Sequence, residues 1–373
     1  MATLNLLESL RALPDPRVAK KTRHRLDEMV FIAICAVISG AQGWSDIVEF
    51  AETKADWLRR FLRLENGIPV DDTFARVLSV LSPKAFAECL LSWTQALAAA
   101  GPGGVIAIDG KTARRSHDRR RRQNPLHLVR AWAIDQGLAL GLVKTEAKSN
   151  EITAIPDLLE LLELKGALVT IDAMGCQTAI AQQIVDQGGD YLLAVKDNQP
   201  TLHADLQDFF ASAKAHGFAG VAHDFAETVD ADHGRIETRR CWVSECLATI
   251  TDAERWIGLK TLVLIERERI VGAAVSREQA FYISSRPADA RRLGQAARDH
   301  WGIENGCHWV IDVTFNEDQS RIRRGHGAHN FAILRQSALN LLKQEKSNGS
   351  LRRKVIRAGL SDDYRLQVLG GAA

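Results

Sequence analysis

The sequence predicts an all-helical region over residues 1–100, followed by an α/β unit over residues 101–373 in which helices cover a mixed sheet. Three observations predict it. Apolar residues recur at helical spacing through the first part, and short apolar runs of strand length begin at Val105. Between them, "AAAGPGG" (Ala98 to Gly104) carries the glycines and proline that end a continuous helix. The later stretch at about 221–285, with "RIETRRCWV", "TLVLIERERIV" and "QAFYIS", reads as a β-rich insertion.

Leu26 to Gly40 is apolar with helical spacing and stops at the Gly40–Gly43 break. Trp44 to Leu64 reads as one amphipathic helix with Ile47, Phe50, Trp57, Leu58 and Phe61 on its apolar side. Asp71 or Asp72 can cap a short helix through Leu81, and Ser82-Pro83 offers an N-cap and a proline at the first helical position of the next. Helix, short break, helix fits a DNA-reading helix-turn-helix and fits a plain bundle equally well.

Beyond Gly104 the expected order is strand (Val105–Asp109), strand (His127–Ile134), strand (Leu138–Thr145), helix (Asn150–Leu164), strand (Ala167–Asp172), helix (Gln177–Gln187) and strand (Tyr191–Lys196). Asp135-Gln136-Gly137 supplies the turn of a hairpin. Helical pattern returns over Pro287–Glu304 and Asn330–Lys343.

Composition narrows the function. With 46% apolar and 25% charged residues the chain is of ordinary globular type, not a disordered or fibrous one. The most apolar run, Met29 to Ile38, is too short to span a bilayer, so no membrane partner is expected. The N-terminus lacks a secretory layout and six cysteines are scattered without a framework, pointing to the cytoplasm. Net charge is only +2, but its distribution is uneven. Seven basic residues (Lys111, Arg114, Arg115, Arg119, Arg120, Arg121, Arg122) face only Asp118 between positions 111 and 122. Arg321, Arg323 and Arg324 form a second cluster, and Arg291, Arg292 and Arg298 a third. Such runs are usually solvated surface, yet all three lie close to candidate acidic sites, as a polyanion-binding enzyme requires.

Two strands end alike, "VIAIDG" at Asp109 and "LVTIDA" at Asp172. A right-handed crossover can place the second strand parallel to the first and bring both aspartates to one edge of the sheet. Paired carboxylates repel unless a cation joins them, and Mg²⁺ is the hard ion that takes such oxygens. Each aspartate taken alone could equally form a turn or cap a helix, and Asp109-Gly110 has the look of a turn pair. A third carboxylate would settle the matter, and "DHWGIENGCHWVIDVTFNEDQSRIRR" offers Glu304, with Asp312 and Glu317 as rivals. Zinc is disfavoured because Cys307, His308 and their neighbours lack finger spacing. Cys176 reads as buried rather than nucleophilic, and Trp301 and Trp309 read as core, with base stacking as the alternative.

The segments "AIDGKTARRSHD", "AKSNEITAIPDLL", "TIDAMGCQ", "YLLAVKDNQ", "HGRIETR" and "HWGIENGCHWVIDVTFNEDQSRIR" resemble, in order, the DDE transposases of bacterial insertion sequences in the H-repeat-associated family. "LPDPR", "RHRLDEMVFIAICAVISG" and "GIPVDDTFARVLS" resemble that family's N-terminal associated region. The resemblance implies a ribonuclease-H-like catalytic core, a metal-binding catalytic triad of Asp109, Asp172 and Glu304, and two Mg²⁺ ions with Mn²⁺ as substitute. It also implies DNA as partner, both element ends and target, bound by a homodimer or higher oligomer at the nucleoid. Broader relatives place a tyrosine, an arginine and a lysine around the glutamate. Here Arg298, His300 and Trp301 precede it and no lysine follows within ten residues, so Arg298, Arg321 and Arg323 take the phosphate-contacting roles. The implied activity is DNA strand cleavage at element ends and strand transfer. The rival functions are a non-catalytic DNA-binding relative and a metal-dependent nuclease without strand transfer.

Overall fold

The computed structural model describes residues 2–18, 20, 22–97, 104–117, 124–145, 151–232 and 234–370. The first part contains α1 (Ala2–Arg11), α2 (Leu26–Ile38), α3 (Trp44–Thr53), α4 (Ala55–Leu58), α5 (Asp71–Val80) and α6 (Pro83–Leu97). Every residue of α2 is buried, which explains why its apolar run shows no polar face. Its two charges are answered on the spot: Arg25 pairs with Asp27 at 2.7 Å, and Glu28 accepts the backbone N–H of Arg63 at 3.0 Å.

The single helix expected over Trp44–Leu64 is broken at Lys54, whose backbone leaves helical geometry between α3 and α4. Tertiary packing overrides the local pattern. The break lets Trp57 and Phe61 stack edge-on at 5.1 Å and brings Phe61 to 6.1 Å from Phe31 of α2. The residue preceding α5 is Val70, and Asp71 instead accepts the next backbone N–H, that of Asp72, at 2.8 Å. The linker at 98–103 lies outside the described residues.

The second part holds β1 (Val105–Ala113), β2 (Leu126–Ala133), β3 (Leu138–Lys144), α7 (Glu151–Glu160), β4 (Leu168–Ile171), α8 (Thr178–Asp186), β5 (Asp190–Val195) and α9 (Pro200–Ala215). The β-rich stretch supplies β6 (Asp224–Asp232), β7 (Arg235–Ser244), β8 (Thr261–Val271) and β9 (Ala274–Ser284). Then follow α10 (Ala290–Asp299), α11 (Trp309–Phe315), α12 (Gly327–Gln344), α13 (Leu351–Leu360) and α14 (Asp362–Val368). All nine strands form one mixed sheet in the order β3-β2-β1-β4-β5-β9-β8-β7-β6. The late strands therefore extend the sheet, because β9 pairs antiparallel with β5 (Leu192 with Ser284).

The parallel crossover forms as expected, with β1 beside β4 and Ile108 level with Ile171. Asp109 does not end its strand, however. β1 runs on to Ala113, held by its antiparallel partner β2, and only the pairing to β4 stops at Ile108. Gly110 is thus a strand residue, not a turn. A Cβ there would come within 2.0 Å of Glu151 Oε1 and 2.7 Å of His127 Nε2, so a side chain at this position would displace the Glu151–His127 contact.

One hydrophobic cluster joins α1–α6 to the back of β1–β3 and to α11–α14. Its spine is α12, pinned by buried amides. Asn330 donates to the carbonyls of Leu78 and Leu81 (2.7 and 2.9 Å), and Asn340 exchanges two hydrogen bonds with Ala139 of β3 (2.8 and 2.9 Å). A second cluster lies between the sheet's other face and α7–α9. Among the described residues, no helix is long and apolar enough to cross a membrane.

Candidate active site

A cleft of about 960 Å³ opens beside the middle of β1 and the ends of β4 and β5, walled on one side by β7–β9 and on another by α10 and the turn that follows it. Asp109, Asp172 and Glu304 all line it. The sheet brings the two aspartates together, since each follows directly on the paired residues Ile108 and Ile171. Asp172 also caps the turn after it, accepting the Ala173 N–H at 2.5 Å, and lies 3.5 Å from Lys196 Nζ. The capping reading of that aspartate is realised, and its side chain also lines the cleft.

Glu304 arrives differently. α10 is capped by the preceding Asp289, which accepts the Arg292 N–H at 2.9 Å, and the chain then passes through one π-helical turn, Glu304–His308, before α11. Single π turns are frequent at functional sites. This one lies against Trp132 of β2, and Gly306 makes the approach possible, since a Cβ there would meet Trp132 at 2.9 Å. The turn delivers Glu304, its side chain 55% exposed, to the cleft, and buries His308, 1% exposed, behind Glu304 and Asp109. His308 Nδ1 lies 3.2 Å from Glu304 Oε2 and 3.5 Å from Asp109 Oδ2. Asp109, Glu304 and His308 each present a ligand atom, all within 4.8 Å of one another, whereas Asp172 stands outside that tight group.

The electrostatics follow from the crowding. Burial pushes the Asp109 carboxyl up to about 7, against the lowering hydrogen bond from Gly110, and the negative charges of Glu151, Asp172 and Glu304 add to the rise. Burial first, and then the positive charges of Arg130 and Lys111, push His308 down to about 2, so its ring is neutral. Burial likewise lowers His300, whose Nδ1 lies 3.0 Å from Thr170 Oγ1.

Sequence reasoning did not single out Glu151, His127 or His308 as functional. Glu151 begins α7 and is hydrogen-bonded to His127 Nε2 at 2.9 Å, and His127 Nδ1 meets Thr112 Oγ1 at 2.7 Å. The available signal was the glutamate in "SNEIT", at the start of the helix expected to cover the strand pair. For His308 the signal was its place four residues after Glu304.

The rival carboxylates are engaged elsewhere. Asp312 ion-pairs with Lys111, and Glu317 is buried against Arg130 at 2.7 Å. The run "VIDVTF", rich in β-branched residues, is helical, because Val310, Ile311 and Phe315 pack into the large core. Trp301 and Trp309, expected in the core, are 61% and 57% exposed. Their helical segment turns its core face to Ile303, Cys307 and Ile311 instead. Cys176 is buried, as expected, and burial pushes its thiol up to about 12.

The basic residues divide into distinct settings. Lys111 is mostly enclosed, donating to the His308 carbonyl at 3.3 Å as well as pairing with Asp312. Arg114 is exposed beside Asp318, with Nε 3.4 Å from its carboxylate. Arg323 donates to the Arg115 carbonyl at 3.2 Å, so the first and second basic clusters form one surface, which Arg321 and Arg324 continue. Arg298 lines the cleft and pairs with Asp230 at 2.8 Å. Arg119, Arg120, Arg121 and Arg122 lie outside the described residues. Lys196, Arg235, Arg239, Arg267 and Arg269 also line the cleft, a wall in which arginines outnumber their partners Glu237 and Glu278 and which the scattered strand sequence did not reveal.

Comparison with known proteins gives the family. The family described as "Transposase DDE domain" matches residues 100–341, and the one described as "DDE_Tnp_1-associated" matches residues 7–94. The chain is 42% identical to "Putative transposase YncI" of Escherichia coli O157:H7, over 100% of this chain and 96% of that protein. It is 41% identical to "H repeat-associated putative transposase YhhI" of Escherichia coli strain K12, over 100% of this chain and 99% of that protein. Among solved structures, a piggyBac transposase synaptic complex with hairpin DNA aligns at 9% identity and a TM-score of 0.47, covering 98% of this chain and 78% of that one. The family matches and the full-length relatives together establish that this chain belongs to the DDE transposases.

Proposed function

We propose that this transposase hydrolyses one DNA strand at each end of its element and joins the freed 3′-OH to target DNA, using a pair of Mg²⁺ ions for which Mn²⁺ can substitute. One observation carries the reading: the β1–β4 register sets Asp109 beside Asp172, in a cleft that Glu304 also lines. The sheet order β3-β2-β1-β4-β5 supports a ribonuclease-H-like core extended by the late strands.

The donor set is suited to hard divalent ions, because it is rich in carboxylate oxygens and partly open to solvent. Asp109, Asp172 and Glu304 would hold the ions, which when bound activate the attacking oxygen and stabilise the leaving one. Asp109 sits at the buried end of the site and fixes position. Glu304, at the open end, leaves room for a phosphate. Lys196, Arg298 and the basic wall of β7–β9 face the cleft and complement the backbone of a DNA strand entering it. Lys111, Arg114, Arg115, Arg321 and Arg323, with Arg119–Arg122, extend the contact to flanking DNA. The N-terminal helices contribute to recognition of the ends, and the active species is a dimer or higher oligomer on DNA.

A labelled element end incubated with target DNA and Mg²⁺ tests the proposal. Joined products support it, cut but unjoined products indicate a nuclease, and binding without cutting indicates a non-catalytic relative.

A further inference from the structure

We infer that His308 ligates the metal through Nδ1, so that one ion is held by Asp109, Glu304 and an imidazole rather than by carboxylates alone. The inference rests on the metal-dependent reading above and goes beyond it, since that reading calls only on carboxylates.

Distances carry it. Two ligands on adjacent corners of an octahedron with bonds of about 2.0–2.1 Å are about 3 Å apart. His308 Nδ1 is 3.2 Å from Glu304 Oε2 and 3.5 Å from Asp109 Oδ2. Those are near the edges of such an octahedron, and all three donor atoms fall within 4.8 Å. The ring is also fixed in place. It is 1% exposed, and the backbone carbonyl of the same residue is held by Lys111 Nζ at 3.3 Å. Its Nε2 is buried with no partner among the described residues, so Nδ1 is the nitrogen that engages polar groups.

The surroundings leave an ion a way in and a place for substrate. His308 and Asp109 form the inner side of the site, while Glu304 stands at the mouth with its side chain 55% exposed. Coordination positions facing the mouth stay free for water or a DNA phosphate. An imidazole nitrogen suits a transition ion better than Mg²⁺, which prefers oxygen, so this position selects for Mn²⁺.

The test is spectroscopic and needs no turnover. Full-length protein loaded with Mn²⁺ is examined by pulsed electron paramagnetic resonance, with natural-abundance and with ¹⁵N-labelled histidine. Wild type shows a directly bound nitrogen whose coupling changes with the label, and the coupling is lost in His308→Ala and His308→Asn. Mn²⁺ affinity falls about tenfold or more in these variants while Mg²⁺ affinity changes less than about threefold. A wild-type ion with oxygen ligands only overturns the inference and leaves the metal-dependent reading intact. So does a nitrogen coupling that survives both folded variants. No Mn²⁺ or Mg²⁺ binding by wild type overturns the inference and the metal-dependent reading together.

Discussion

Lys111, two residues beyond Asp109 on β1, ion-pairs with Asp312 on α11 and donates to the His308 carbonyl at 3.3 Å. The contact ties the strand carrying the first carboxylate to the turn carrying the third. It also accounts for Asp312, which neutralises a lysine instead of facing the cleft. Glu304→Gln is therefore expected to reduce strand cleavage to background with DNA affinity kept or raised. Asp312→Asn, which loosens a supporting contact, should cost about 10–100-fold. Side-by-side cleavage and binding assays check this, and a dead but folded, DNA-binding Asp312 variant beside an active Glu304 variant would reverse the assignment.

Asp109 titrates near 7 in the metal-free protein, above its unfolded value of 3.8. Because the folded state holds its proton more tightly, this group's contribution to stability declines as pH rises from about 4 to about 7. A divalent ion reverses that loss by favouring the carboxylate. The thermal shift produced by Mg²⁺ or Mn²⁺ should thus be larger at pH 8 than at pH 5.5. Asp109→Asn should abolish most of it at both. An equal shift at the two pH values would contradict the assignment.

Arg130 and Glu317 form an ion pair with side chains 0% and 1% exposed. Glu317 also faces the buried Arg335, so removing Glu317 leaves two buried guanidiniums short of compensation, a loss of about 3–5 kcal/mol. Glu317→Gln should show that loss in denaturant unfolding, and Arg130→Met, which leaves Glu317 facing Arg335, a smaller one. The double replacement should recover only part of the Glu317→Gln loss, because Arg335 stays buried. A Glu317→Gln protein of native stability that had lost metal binding would instead return Glu317 to the list of ligands.

The basic run beyond β1 is expected to hold DNA backbone without reading sequence. Replacing Arg119, Arg120, Arg121 and Arg122 with alanine should flatten the log–log salt dependence of DNA binding by about 2–4 units and weaken all sequences alike. Salt titrations on element-end and unrelated duplexes decide it. An unchanged slope would identify the run as solvated surface.

Much of this fold was legible because its signals are local. The matched endings "VIAIDG" and "LVTIDA" foretold a parallel pair, and Asp135-Gln136-Gly137 foretold the hairpin between β2 and β3. What escaped depends on distant partners. Nothing near Trp44–Leu64 announces the break at Lys54, which serves contacts with α2 and ends with Lys54 paired to Asp362, 2.9 Å away on α14. Arg130 reads as a surface charge until Glu317 arrives from 187 residues away. The continuation of β1 past Asp109 was hidden because polar residues resemble a loop, although β2 pairs with them residue by residue. The convergence of His308 on Asp109 required the π turn, which spacing alone does not forecast.

The burial of every residue in α2 has a temporal side. This helix is synthesised well before α12, against which it packs and which is made roughly 300 residues later, about 15–60 s at ordinary rates of translation. Through that interval the part of its apolar surface that meets α12 has no permanent cover. A polypeptide released before α12 keeps this sticky segment unprotected, which makes it a substrate for chaperones and proteases before it can become a half-built enzyme loose on DNA.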